Sequence, residues 1–373
     1  MPRMPEIKKC TMNNTLSAIT LSQLTLSRLP LDKAVKAFEQ EGSLDGALDF
    51  VRRHIDADYD TLRHVAEQEF EWCQKNKVRI LTIADDDYPV RLKQCPDAPM
   101  VLFTRGTTDL DSPHIINMVG TRKCTQYGQD VIAKILADLA VLVPNLVVVS
   151  GLAYGIDITA HRNAMQLGLP TVGVVAHGQG MMYPASHRMD ANRMVTGNGA
   201  VVTEFLHDVR PEARNFLQRN RVIAGLSDAT IIVESAVHGG GLVTARTAMD
   251  YNREVFAVPG PITAPMSEGT NNLIRDEKAR ILTSADDIVK MLGWHDAKTI
   301  EQARKEGIER QMFLDLNADE MAVFECLKQK GDQNLNVLVA NIGLPVSQVS
   351  AALFTLEMKG AIAPQAGNCY HAL

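Results

Sequence analysis

The stretch VVVSGLAYGIDITAH, Val147–His161, decides how the centre of this chain folds. Four apolar residues, Leu146–Val149, run into Ser150-Gly151, Gly155 follows, and Asp157-Ile158-Thr159-Ala160-His161 starts a helix. A strand, a small-residue turn and a helix start together aim backbone N–H groups and a helix dipole at an anion. The stretch lacks both the Walker lysine-serine pair and the strict G-x-G-x-x-G of dinucleotide sites, so the identity of that anion is open at this point.

On either side the same rhythm repeats. VRILTI, MVLFT, IINMVG, LVVVS, TVGVVA, AVVTE, ATIIVE, EVFAVPG and ARIL are short, mostly β-branched apolar runs between residues 78 and 282. They alternate with helix-length segments such as Gln126 to Leu142 and Thr244 to Asn252. That alternation predicts an α/β domain over 77–295, a Rossmann-like, doubly wound and mostly parallel sheet with ligands at the carboxyl ends of its strands. Before it, Leu21, Leu24, Val35, Phe38, Leu44, Leu48 and Val51 recur at three- and four-residue spacing. This predicts a small N-terminal helical module over 1–76, of helix-hairpin-helix or sterile-alpha-motif type. After Trp294 a polar stretch over 296–311 reads as a linker. The last segment, 312–373, gives helices at Ala318 to Lys330, around Leu335 to Ile342 and in LPVSQVSAALFTLEMKG, then a two-strand tail, the order of a C-terminal winged helix. Its third helix offers Lys359 beside Glu357 and little else to read a duplex.

At 373 residues, 46% apolar and 22% charged, the chain is expected to fold into two or three globular domains rather than stay disordered. No apolar run approaches a membrane span, the first residues carry no secretory core, and the six cysteines form no C-x-x-C pair, so a cytoplasmic protein with reduced thiols is expected. Net charge is −6, which argues against a basic coat for nucleic acid. One local exception stands out: between Val209 and Gly225, four arginines (Arg210, Arg214, Arg219, Arg221) face one acid, Glu212, a regional +3.

Four loops could carry chemistry. MVGTRKCTQYG places Gly120, Thr121 and Arg122 after a strand, giving a guanidinium fork beside freed N–H groups, or else a tight turn with a surface arginine. In SGLAYGID, Ser150, Gly151 and Gly155 would let a ligand approach without Cβ obstruction. Asp157 there reads best as a helix cap, and Tyr154 either stacks on a base or packs in the core. RNFLQRNRVIAG carries Arg219, Asn220 and Arg221, more donors than a single phosphate needs, or a solvated helix face. Gly239, Gly240 and Gly241, followed by Thr244, form another anion cradle, since three consecutive glycines cost entropy unless something approaches the backbone.

An enzyme on such a fold needs reacting groups too. The loop HGGGLVTARTA supplies Arg246 but no carboxylate at its helix start, and no H-E-x-x-H, metal-spaced His/Cys set or G-x-S-x-G occurs, so neither catalysis nor a metal or other cofactor is expected. A nucleotide or nucleoside-phosphate processing enzyme on the same fold is the alternative.

Taken together, VGTRKCTQYG, SGLAYGIDITAH, TEF, RNRVIAGLSD, VESAVHGGGLVTARTAMDYNREVFAVPGP and GTNNLI, in order between Ile115 and Ile288, resemble the DNA processing protein A (DprA/Smf) family. The resemblance implies a non-enzymatic, homodimeric recombination mediator that protects single-stranded DNA taken up in natural transformation and helps load RecA. It implies that the anion is a DNA backbone. Arg122 would hold that backbone, Ser150, Gly151 and Gly155 would line its pocket, Arg219 and Arg221 would add charge, and Gly239 to Gly241 would complete the floor. Tyr154 stands where relatives often have a basic or small residue, which shifts the expected contact from charge toward stacking.

Overall fold

Residues 6–294, 316–359, 361–365 and 369–372 are described by a computed structural model, and the expected linker at 296–311 lies outside them. The chain divides into one compact unit up to Ile300 and a second from Glu301.

In the first unit the nine apolar runs become nine strands of one sheet. These are β1 (Arg79–Thr82), β2 (Val101–Gly106), β3 (Ile115–Val119), β4 (Val147–Ser150), β5 (Thr171–Val174), β6 (Ala200–Thr203), β7 (Ala229–Ile232), β8 (Glu254–Ala257) and β9 (Arg280–Ile281). Their order is β1-β2-β6-β5-β4-β3-β7-β8-β9. Pairing is parallel from β6 through β9 and antiparallel only for β1 with β2 and β2 with β6. Every residue of β3 through β7 is buried, which is why those strands read as unbroken apolar runs rather than alternating ones. From β3 the chain winds one way through β4 and β5, then returns to place β7 and β8 on the other side, so the topological switch lies between β3 and β7.

The N-terminal helices α1 (Glu6–Thr25), α2 (Leu31–Glu41), α3 (Leu44–His54) and α4 (Tyr59–Lys75) form as the periodicity predicts. Gly42, in the left-handed region at φ 67°, ends α2, and the Ser43 side chain caps α3. They share one continuous core with the sheet, Leu16, Leu21, Val35 and Leu44 packing in the same cluster as Leu81, Phe103 and Val202. A buried Glu69 carboxylate on α4 accepts from the His207 backbone N–H at 3.0 Å, and Trp72 stacks on the His207 ring.

The remaining helices are α5 (Val90–Lys93), α6 (Gln126–Leu142), α7 (Ile156–Gln166), α8 (Arg188–Thr196), α9 (Ala213–Leu226), α10 (Gly240–Asp250), α11 (Glu268–Arg275) and α12 (Ala285–Leu292). The helix expected from Thr244 begins four residues earlier, so the second and third glycines of the triple form its first turn.

The second unit is a winged helix. It contains α13 (Ala318–Lys330), β10 (Gln333–Asn334), α14 (Leu335–Ile342), α15 (Val346–Met358), β11 (Ile362–Gln365) and β12 (Cys369–Ala372). Its sheet has three strands, in the order β10-β12-β11, where the sequence suggested two. Val323, Leu327, Leu338, Leu353 and Leu356 make its core, and a capping box between Asn317 and Glu320 starts α13. Among the described residues no single helix is long and apolar enough to cross a membrane.

Candidate nucleic-acid interface

Beyond the carboxyl ends of β3 and β7, at the switch point, a cleft of about 660 Å³ opens between the β3–α6 loop, α9 and the start of α10. Gly120, Thr121, Arg122, Arg219, Asn220, Gly239, Gly240, Gly241 and Thr244 all line it, so nine of the predicted residues from three separate loops and helices converge. Arg122 is exposed at the mouth, its guanidinium carbon 5.4 Å from the centre of the Phe216 ring. Opposite, α10 starts at Gly240 with Gly239 as its N-cap and no side-chain cap. The positive end of that helix dipole is therefore turned to the cleft, the Leu242 N–H being donated to the Gly239 carbonyl. A Cβ on Gly240 would meet nothing within 4 Å, so the chain passes open space there.

Arg219 forms the inner wall. It is buried, donates from Nη1 to the carbonyls of Gly151 at 2.8 Å and of Val174, and from Nε to Asn220 Oδ1 at 3.2 Å. Burial pulls its guanidinium down to about 10, with the neighbouring Asp157 carboxylate working against the shift. Asp157 is itself raised by burial, opposed by Arg219. The two charges offset one another inside the wall, which leaves Arg122 at the mouth as the cleft's uncompensated cation among the described residues.

Several expectations are corrected. Arg221 does not reach the cleft: it is buried in an ion pair with Glu204 and donates to the Asp97 carbonyl. Two positions along an α-helix turn a side chain through about 200°, so Arg219 and Arg221 cannot share a face. Asp157 does not cap α7. Its Oδ2 accepts from the Gly151 and Ala153 N–H groups at 3.1 and 3.4 Å, folding back to shape the loop before the helix. Gly155 is required at φ 76°, but the backbone that crowds it is the protein's own, since a Cβ would stand 2.2 Å from the Thr121 carbonyl oxygen. Ser150 is fully buried and donates to the Met118 carbonyl at 2.6 Å. Ser150, Gly151 and Gly155 thus build the support behind the cleft rather than its surface. Tyr154 lies outside the cleft lining and is 48% exposed, its hydroxyl 3.1 Å from Ser186 Oγ and its ring edge-on to His187.

Sequence reasoning missed the apolar side. Phe216 and Leu217 project from α9 into the cleft, Leu217 being 58% exposed, and Phe216 lies within 6 Å of both Arg122 and Arg219. Exposed apolar residues on a helix that also carries cations were the available signal. It also missed Glu234, which is 2% exposed. Its backbone carbonyl accepts from Thr121 N–H at 2.8 Å, while its carboxylate accepts from the Thr125 N–H at 2.9 Å and from the Thr125 hydroxyl. No group of three or more His, Cys, Asp or Glu that could hold a metal occurs among the described residues.

Residues 79–293 match the family model of DNA recombination-mediator protein A, and residues 314–368 match that of the DprA winged helix domain. Protein Smf of Escherichia coli K12 is 33% identical over 314 residues, covering 82% of this chain and 80% of its own length. The X-ray structure of DNA processing protein A from Streptococcus pneumoniae aligns with a TM-score of 0.56 at 30% identity, over 78% of this chain and 98% of that one. DNA processing protein A from Helicobacter pylori, described by its single-stranded DNA binding mode, aligns with a TM-score of 0.51 at 28% identity, over 57% of this chain and 95% of that one. With family-model matches to both its sheet domain and its winged helix, the first across more than half its length, this chain belongs to the DNA recombination-mediator protein A family, the DprA/Smf proteins.

Proposed function

We propose that the cleft holds single-stranded DNA by its backbone, and that the protein works as a cytoplasmic homodimer that protects incoming strands and hands them to the RecA recombinase in natural transformation. The observation that carries the reading is the pairing of Arg122 with Phe216 at the mouth of a cleft whose far rim is an uncapped helix N-terminus. A guanidinium and a helix dipole suit phosphate, and an aromatic face suits an unpaired base; a stacked base is worth about 1–3 kcal/mol whatever its identity. A duplex keeps its bases stacked internally and gives Phe216 nothing to hold. Arg219, its charge offset by Asp157, holds the inner wall on which Asn220 stands, and Thr121, Gly239 and Gly241 shape the lining, the N–H groups of Thr121 and Gly239 being already donated to the Glu234 and Ala236 carbonyls. The single-strand binding described for the Helicobacter pylori relative supports the same assignment.

The direct test is fluorescence anisotropy with labelled oligothymidylate across a salt series. Arg122→Ala is expected to weaken binding and to lower the magnitude of the log–log salt slope by about 0.7, the value for one lost single-strand phosphate contact. An unchanged affinity and slope would remove the site. Light scattering on the free protein tests the dimer, and RecA filament formation on strands precoated with this protein tests the hand-over.

A further inference from the structure

Past Phe216 the surface continues. The Tyr183 ring, 44% exposed, stands edge-on to Phe216 at 5.8 Å, and the loop that carries it, 181–186, also presents Ser186 to the exposed Tyr154. The near side of that loop, Met181 and Met182, walls a second pocket of about 260 Å³. Two arginines from unrelated elements enter this pocket: Arg105 from the end of β2 and Arg188 from the first turn of α8. Neither takes part in an ion pair among the described residues; the nearby Asp190 is held by Arg162 at 2.9 Å. The Arg105 Nε is buried without a hydrogen-bond partner, and its guanidinium rests on the Trp72 ring, which fixes where the charge points.

An acidic chain that brings two guanidinium groups without an ion-pair partner to one pocket leaves a site whose chemistry suits an anion. From the tyrosine-lined loop between the two pockets, we infer that a single strand leaving the first cleft passes over Tyr183 and Tyr154 and places a backbone phosphate between Arg105 and Arg188. This rests on the cleft being a single-strand site and extends it to a bipartite track: a phosphate, a stacked segment, and a second phosphate site. Exposed aromatic faces between two cationic stations match a flexible polyanion carrying bases, whereas a free phosphate or a mononucleotide would use one station and leave the tyrosines idle.

The test is a ladder of oligothymidylates from about 4 to about 16 nucleotides, titrated at several salt concentrations. The affinity of the full chain is expected to rise in a step once an oligomer is long enough to reach both stations, and the salt slope to steepen by about 0.7, the value for the one added phosphate contact. Arg188→Gln and Arg105→Gln are each expected to weaken long oligomers and to lower their slope by up to about 0.7, with no effect on short ones, and Tyr183→Ala to weaken long oligomers by about fivefold or more. Arg188 is exposed, so its variant keeps the fold; thermal unfolding checks Arg105→Gln, and Arg188→Glu repeats the test by charge reversal. If Arg122→Ala weakens every length while the Arg188 variants bind long oligomers like the parent, the track is wrong and the cleft stands. If Arg122→Ala weakens no length, the cleft reading falls and takes the track with it.

Discussion

The Arg122 guanidinium carbon lies 5.4 Å from the centre of the Phe216 ring, so the cation we propose for a phosphate is parked on the aromatic ring we propose for a base. At an exposed site such a contact is worth about 0.5–1 kcal/mol. A strand that stacks on Phe216 must displace or share it. Phe216→Ala is therefore expected to cost about 1–3 kcal/mol of single-strand affinity with the salt slope intact, the mirror image of Arg122→Ala. Anisotropy titrations of both single variants and the double variant would give the coupling. A Phe216→Ala protein that binds within a factor of about two of the parent would remove the stacking role.

Arg221 is a folding residue. Removing it strands the Glu204 carboxylate, which is 4% exposed and accepts from Arg221 and from Gln218. Breaking a buried pair from one side costs about 3–5 kcal/mol, while replacing both partners with apolar residues costs much less. Urea unfolding of Arg221→Ala against Arg221→Met combined with Glu204→Leu is expected to show that asymmetry. At temperatures where Arg221→Ala stays folded, its strand binding should keep the parental salt slope.

Two glycines should separate support from surface. Gly155→Ala forces a Cβ at φ 76° to within 2.2 Å of the Thr121 carbonyl oxygen, and a residue held in such a sparsely populated region costs about 1–3 kcal/mol before that clash is counted. Gly240→Ala adds a methyl to open space at the first position of α10, where alanine is the better helix former by up to about 1 kcal/mol. Calorimetry should find the first variant destabilised and the second as stable as the parent or more so. Anisotropy should find the Gly240→Ala protein weaker for DNA, because the methyl stands on the cleft rim.

Acid should weaken the fold through His161. It is wholly buried, with Nδ1 2.7 Å from Thr171 Oγ1 and Nε2 unpartnered, and burial pushes its pKa down to about 3. Because the folded value lies below the unfolded value of about 6.5, the unfolded chain takes up the proton first. Stability is then complete above that pH and is lost progressively as pH falls from about 6.5 toward 3. Between pH 7.5 and 5 the loss comes to about 2 kcal/mol from this group alone. Urea titrations at several pH values check it. His161→Gln should flatten the dependence, leaving the part contributed by His177, which burial also lowers.

The runs of β3 through β7 were legible as strands because the covered centre of the sheet leaves no polar alternation to confuse them. Their pairing was not. Nothing local says that β2 docks antiparallel on β6, because the paired residues, such as Phe103 and Thr203, stand far apart along the chain. The cleft glycines and Arg122 were legible as turn chemistry. The separation of Arg219 from Arg221 was available from helical periodicity, but counting both as surface cations concealed it. Gly155 looks from sequence like a place for a ligand to approach, and only the fold shows that the approaching chain is the loop at Thr121. Glu234 could not be found at all by pattern, since its partners Thr121 and Thr125 lie more than a hundred residues upstream.

Glu234 has a consequence for how a guest is received. By gripping the segment at Thr121 and Thr125 from beneath, while its own chain leads into the glycines of α10, it welds two walls of the recess into one stiff frame before anything arrives. If the proposed guest is a limp polymer, it would bear nearly all of the ordering entropy on docking, and the host little. On the proposed single-strand reading, tolerance for any sequence of bases would follow from that rigidity: the frame would grip what every nucleotide has in common, with no slack to remould itself around what differs.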